Sequence, residues 1–126
     1  MPHLRFEYPS NLSEIADLPA FAETLREAMI ACGIFPRSGI RVRGLPCSPV
    51  AVADGGEHLF IHMELMIGTG RSDAEKEEAV AQIYGAAEDF LRPVIGQRTF
   101  ALSLELRELS RFNKKSWNAI RSQIGD

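Results

Sequence analysis

Four residues have the types and positions to do chemistry together: Pro2, Arg41, Arg43 and Arg71. Proline follows Met1, and a small second residue is the usual condition for removing an initiator methionine. Pro2 would then carry a free secondary amine instead of a non-basic amide nitrogen. A free α-amine has a reference pKa near ~8. Apolar burial or nearby arginines push that value down, and a base that is neutral near pH 7 suits general acid–base catalysis. Many chains begin Met-Pro without using the amine, so the surroundings of Pro2 decide its reading.

Arg71 stands in Gly70-Arg71-Ser72-Asp73, between a strand and the first turn of a helix. A guanidinium beside the free N–H groups of a helix N-terminus makes a carboxylate site. A surface arginine next to an ordinary helix cap fits the position equally well. Arg41 and Arg43 share one face of a strand. If that strand lies parallel to and beside the first one, Arg41 falls near Pro2. There it would disfavour protonation of the amine and bind an anion. The competing reading of this pair is a solvated or intersubunit strand face.

Other chemistries fit poorly. His58 and His62 share a strand face, but spacing four on a strand is about 13 Å, too far for one tetrahedral ion. No metal site is expected. Gly68-Thr69-Gly70 is too short for a dinucleotide loop. Cys32 and Cys47 form no C-x-x-C motif, and Cys32 ends an apolar helical stripe as a small core residue. A net charge of −3 gives no basic excess to track nucleic acid. No apolar run approaches the roughly 20 residues of a membrane span. With no signal-peptide pattern at the start, a cytoplasmic protein is expected.

The elements that must position these residues follow from periodicity. Residues 2–8 alternate, with Leu4, Phe6 and Tyr8 on one face, as a strand does. A helix over Leu18–Ala31 carries Leu18, Phe21, Leu25 and Met29 at helical spacing, with Pro19 in its first turn. A second strand runs from Ile40 to Leu45. Proline and glycine punctuate residues 46–56, which read as a loop with at most a short edge strand. The third strand, about His58–Ile67, is the strongest strand signal. Ser72-Asp73-Ala74-Glu75 is a capping box and opens a helix to about Leu91, stopped by Pro93 and Gly96. A fourth strand covers Thr99–Glu108. The tail from Ser110 is polar with a lone Trp117, and fits a short helix or an arm lying on a neighbouring subunit.

The order is strand–helix–strand, twice. With 126 residues the chain is one domain, with halves of about 1–57 and 58–110 and an arm at 111–126. The expected class is α/β: two tandem βαβ units forming a four-stranded sheet with two helices on one face. The opposite face mixes His3, Arg5, Phe60 and Met66, and subunit packing could cover it.

The stretch Gly70-Arg71-Ser72-Asp73-Ala74-Glu75-Lys76-Glu77 resembles the helix opening of 4-oxalocrotonate tautomerase. Met1-Pro2-His3, Gly33-Ile34-Phe35-Pro36, Gly39-Ile40-Arg41-Val42-Arg43 and His62-Met63-Glu64-Leu65 extend the likeness to the doubled members of the tautomerase superfamily, the 5-carboxymethyl-2-hydroxymuconate isomerases. The resemblance implies a homotrimer with sites at subunit interfaces, no cofactor, and Pro2 as the base. It also implies that Arg71 and Arg41 bind or polarise substrate carboxylate and keto groups. Arg43 has no firm counterpart in the smaller enzyme and is kept as a further contact. Ile61 and Leu12 stand where a second proline and a second helix-opening arginine would be, so one site per chain is expected.

The expected activity is isomerisation of an unsaturated 2-hydroxy di- or tricarboxylic acid. The competing readings are a non-enzymatic ferredoxin-like ligand-binding module and an oligomeric interaction module.

Overall fold

The computed structural model of the chain describes residues 1–110 and 114–126. Strand β1 spans His3–Pro9 and helix α1 spans Leu18–Ala31. Strands β2 and β3 span Arg41–Cys47 and Leu59–Gly68. Helix α2 covers Asp73–Ile95, β4 covers Phe100–Leu109, and a short α3 covers Arg121–Ile124.

The sheet order is β2-β1-β3-β4. β1 pairs parallel with β2, β3 pairs parallel with β4, and β1 and β3 meet antiparallel at the centre. Each βαβ unit therefore keeps its two strands adjacent. A ferredoxin-like sheet inserts another strand into the unit, so the topology removes that alternative.

Leu4 and Phe6 of β1 and Ile61, Met63, Leu65 and Ile67 of β3 meet the helices on one face and are fully buried. Phe21, Leu25 and Met29 of α1 and Ala79, Ile83, Ala87 and Leu91 of α2 complete the core. Gly44 is required on β2: a Cβ there would lie 2.7 Å from the Phe6 ring. Leu12 and Ile61 are both core residues, 0% and 1% exposed.

Asp17 caps α1 by accepting from the Ala20 N–H. Ser72 and Glu75 form the reciprocal capping box of α2. Helix α2 continues to Ile95, past the expected stop, and holds Pro93 in its last turn. A proline there forfeits one hydrogen bond. Buried Ile95 anchors the turn, and the Gly96 N–H closes it on the Arg92 carbonyl.

The outer face of the sheet is polar and ionic. Glu64, 8% exposed, accepts from Arg5 Nε at 2.8 Å and pairs with Arg107 Nη2 at 3.3 Å. His62 Nδ1 meets Ser103 Oγ at 2.7 Å. Ligand atoms of His62, Glu64 and Glu105 gather within 4.8 Å of one another. Arg5 and Arg107 already neutralise this cluster, occupying the electrostatic role a cation would take.

Candidate active site

Because β1 and β3 run antiparallel, the start of β1 lies beside the end of β3. His3 is opposite Met66, so Gly68, Thr69 and Arg71 emerge next to Pro2. Because β1 and β2 run parallel, the start of β2 lies there as well. His3 is opposite Arg41, and the Arg41 N–H donates to the Pro2 carbonyl at 3.0 Å. Two strand pairings thus converge on one end of the sheet.

A cleft of about 390 Å³ opens at this end, within the size range of small-molecule sites. Pro2, Pro36, Gly39 and Arg71 line it, together with Lys114, Ser116, Asn118 and Arg121 of the C-terminal arm. Pro2 is buried, and its ring packs on Gly39, where a Cβ would sit 3.0 Å from Pro2 Cδ.

Arg71 is held rigidly within the same chain. Its Nε and Nη2 donate to the Ile34 carbonyl at 3.2 and 2.9 Å, and Nη1 donates to the Gly68 carbonyl at 3.2 Å. Its Cζ lies 5.1 Å from the centre of the Phe35 ring. A guanidinium has five N–H groups, so one hydrogen on each Nη remains for a ligand. Arg41 Nη1 donates to the carbonyls of Ser38 and Ile40 at 2.8 and 3.0 Å. Its guanidinium is tucked against the 3₁₀ turn Arg37–Gly39, behind the cleft wall. Arg43 takes another direction: its Nη1 meets His3 Nδ1 at 3.2 Å on the outer face. Burial, then the Arg43 charge, lowers the pKa of His3.

With Met1 in place, the terminal amine stands one residue upstream of the amine that Pro2 would carry. That amine is pulled from its ordinary 8.0 down to about 6. Burial is the largest cause, followed by the Lys114 hydrogen bond and charge and then the charges of Arg71 and Arg41. The same burial and the same cations lower the pKa of any terminal amine in this corner.

The arm was unreadable in sequence as part of a site. It lies on its own chain: Asn118 Nδ2 donates to the Ser38 carbonyl at 3.1 Å, and buried Ser38 donates its hydroxyl to Asp126 Oδ1 at 3.3 Å. Arg121 Nε pairs with Asp126 at 2.8 Å. These contacts span 80 residues or more, and no local periodicity announces them. The only signal was a tail carrying Lys114, Lys115 and Arg121 in an acidic protein.

A terminal amine of lowered pKa with cations beside it is the kind of corner that can exchange a proton with an anionic ligand. The doubled βαβ sheet that builds this site is the tautomerase fold. Within that class, the model of the family described as 5-carboxymethyl-2-hydroxymuconate isomerase matches residues 2–124. The chain belongs to that family and is an isomerase. It is 34% identical over 110 residues to the 5-carboxymethyl-2-hydroxymuconate Delta-isomerase of Escherichia coli, covering 86% of this chain and 87% of that one. A crystal structure of a 5-carboxymethyl-2-hydroxymuconate delta-isomerase superposes with a TM-score of 0.92 at 28% identity, covering 98% of this chain and 92% of that one. The 5-carboxymethyl-2-hydroxymuconate isomerase of Deinococcus radiodurans R1 gives 0.88 at 34% identity, covering 97% and 92%.

Proposed function

We propose that the chain converts an unsaturated 2-hydroxy carboxylic acid, such as 5-carboxymethyl-2-hydroxymuconate, from its dienol to its keto form, with Pro2 as acid and base. The carrying observation is the cleft itself, which puts Pro2 and Arg71 on one surface of one chain. In the proposed reaction Met1 is removed. The neutral Pro2 nitrogen takes the proton of the enol hydroxyl, and the O–H electrons move into the conjugated system as the C=O forms. The resulting prolinium returns that proton to a carbon further along the chain. Proton count and charge balance, and the amine is regenerated.

The two free Nη hydrogens of Arg71 meet a substrate carboxylate or the developing enolate oxygen, the strong charge-assisted type of contact. Arg41 acts from behind: its N–H donates to the Pro2 carbonyl, and its charge adds, after burial, Lys114 and Arg71, to the lowering of a terminal amine in this corner. Arg43 is assigned to the outer face with His3, and not to this cleft. The proposed assembly is a homotrimer. It would cover the outer sheet face, where Phe60 and Met66 are half-buried beside the Arg5–Glu64–Arg107 network.

The direct test is to add protein to a 2-hydroxymuconate-type dienol and follow the ultraviolet absorbance of the conjugated enol. Accelerated decay at micromolar protein supports the reading. A rate equal to buffer alone overturns it.

A further inference from the structure

Three cations reach the cleft over Pro2: Arg71 from the strand–helix junction, and Lys114 and Arg121 from the arm. Arg121 is neutralised by Asp126. Among the described residues, neither Arg71 nor Lys114 has a carboxylate within ion-pairing distance. Lys76, by contrast, reaches both Asp73 and Glu108.

The arm is also fixed, so Lys114 is not a lysine on a loose end. Asn118 holds the Ser38 carbonyl, which Arg41 also holds, and Asp126 holds the Ser38 hydroxyl. The arm is thereby locked to the turn that carries Gly39, the residue packed on Pro2. Lys114 lines the cleft beside Pro2 and Arg71, four residues before the Asn118 anchor.

We propose that Lys114 is a specificity-determining residue that binds a second substrate carboxylate, across the cleft from the one bound by Arg71. This rests on the isomerase reading above for its reaction, but not for its binding step. A substrate with carboxylates at both ends of a conjugated chain would bridge the two cations with the reacting atoms over Pro2. A substrate with one carboxylate would satisfy only Arg71. The two-point hold orients the conjugated chain, and orientation of this kind is worth far more than the contact alone. Arg121, already paired, tunes the field of this wall without being its main ligand.

The test compares the dienols of a dicarboxylate and a monocarboxylate: 2-hydroxymuconate and the enol of phenylpyruvate. With Lys114→Met, the ratio of their kcat/KM values falls about tenfold, and a rise in KM for the dicarboxylate carries the change. Lys114→Arg restores most of the ratio. A ratio within twofold of the unaltered protein overturns the proposal, whether both rates fall together or neither moves. A second measurement does not need turnover. Calorimetric titration with adipate, a saturated dicarboxylate, gives binding that weakens about tenfold in Lys114→Met. Equal binding by both proteins overturns the proposal. If the unaltered protein binds adipate through Lys114 but turns over neither dienol, the isomerase reading fails and the binding site stands.

Discussion

The Arg41 N–H donates to the Pro2 carbonyl at 3.0 Å, while the Arg41 guanidinium turns away to the carbonyls of Ser38 and Ile40. Arg41 thus anchors the proposed base through its backbone and acts on it at longer range through its charge. Arg71 does the reverse. Its guanidinium is held by the Ile34 and Gly68 carbonyls in the cleft that Pro2 also lines, with one hydrogen left on each Nη. In the proposed reaction the two arginines divide positioning and substrate binding between them.

The depressed amine sets the pH profile. Burial, Lys114, Arg71 and Arg41 lower the Met1 amine from 8.0 to about 6, and the same surroundings lower the pKa of an amine carried by Pro2, whose protonated form cannot act as the base. The kcat/KM for a dienol is therefore expected to rise with pH through the lowered pKa of that amine and then to level off. Arg41→Gln removes one of the cations, so the rise moves to higher pH. Rate measurements from pH 4.5 to 9 check both.

Arg71→Lys is a severe change, although charge is kept. A guanidinium bonds the Ile34 and Gly68 carbonyls and still offers two hydrogens. An ammonium has three donors on one point and cannot span those positions. A loss of about 100-fold in kcat/KM is expected, with thermal stability nearly preserved. Steady-state kinetics beside a melting curve separates the two effects.

Gly39→Ala tests how closely Pro2 is placed. The new methyl would press on Pro2 Cδ at 3.0 Å. The first residues must move by a few tenths of an ångström, which displaces the base and not the core. A drop of about tenfold in kcat is expected, with a smaller change in KM. Gly44→Ala should behave differently, because its methyl meets the buried Phe6 ring at 2.7 Å. That change lowers Tm first.

Glu64 links the sheet face to pH. Its hydrogen bond with Arg5, then the Arg107 charge, holds its pKa below the usual carboxylate value of 4.5. The unfolded chain then binds the extra proton more readily, so the contribution is full above about 4.5 and is lost as pH falls through the lower folded value. Glu64→Gln should lower Tm by several degrees at pH 7 and flatten the dependence of Tm on pH between 3 and 5. Melting curves across that range check it.

Much of this architecture was legible because local patterns agreed with the global fold. The alternation of Leu59–Ile67, the capping box at Ser72 and the helical stripe of α1 each name an element without tertiary information. The closeness of Arg41 and Pro2 followed from one expectation, that β1 and β2 are parallel neighbours. The closeness of Arg71 and Pro2 needed more: the antiparallel pairing of β1 with β3, which no local pattern states. Arg43 shares a face with Arg41 but lies one pleat further along, where His3 takes it. The arm was hidden for another reason. Asn118 and Asp126 reach Ser38 across 80 residues or more through isolated polar contacts, and such contacts leave no periodic trace. The end of α2 was misjudged at Pro93 because burial of Ile95 outweighs one lost hydrogen bond.

The central claim is that the amine of Pro2 is the base. Mass spectrometry first establishes a batch that has lost Met1, and the dienol ketonisation rate of that batch is compared with the same protein after acetylation of its terminal nitrogen. Acetylation turns the amine into an amide and leaves Arg41 and Arg71 in place. The account predicts a loss of roughly 10²–10⁴-fold in kcat, the size of a general-base contribution. An acetylated protein that keeps its full rate would contradict it.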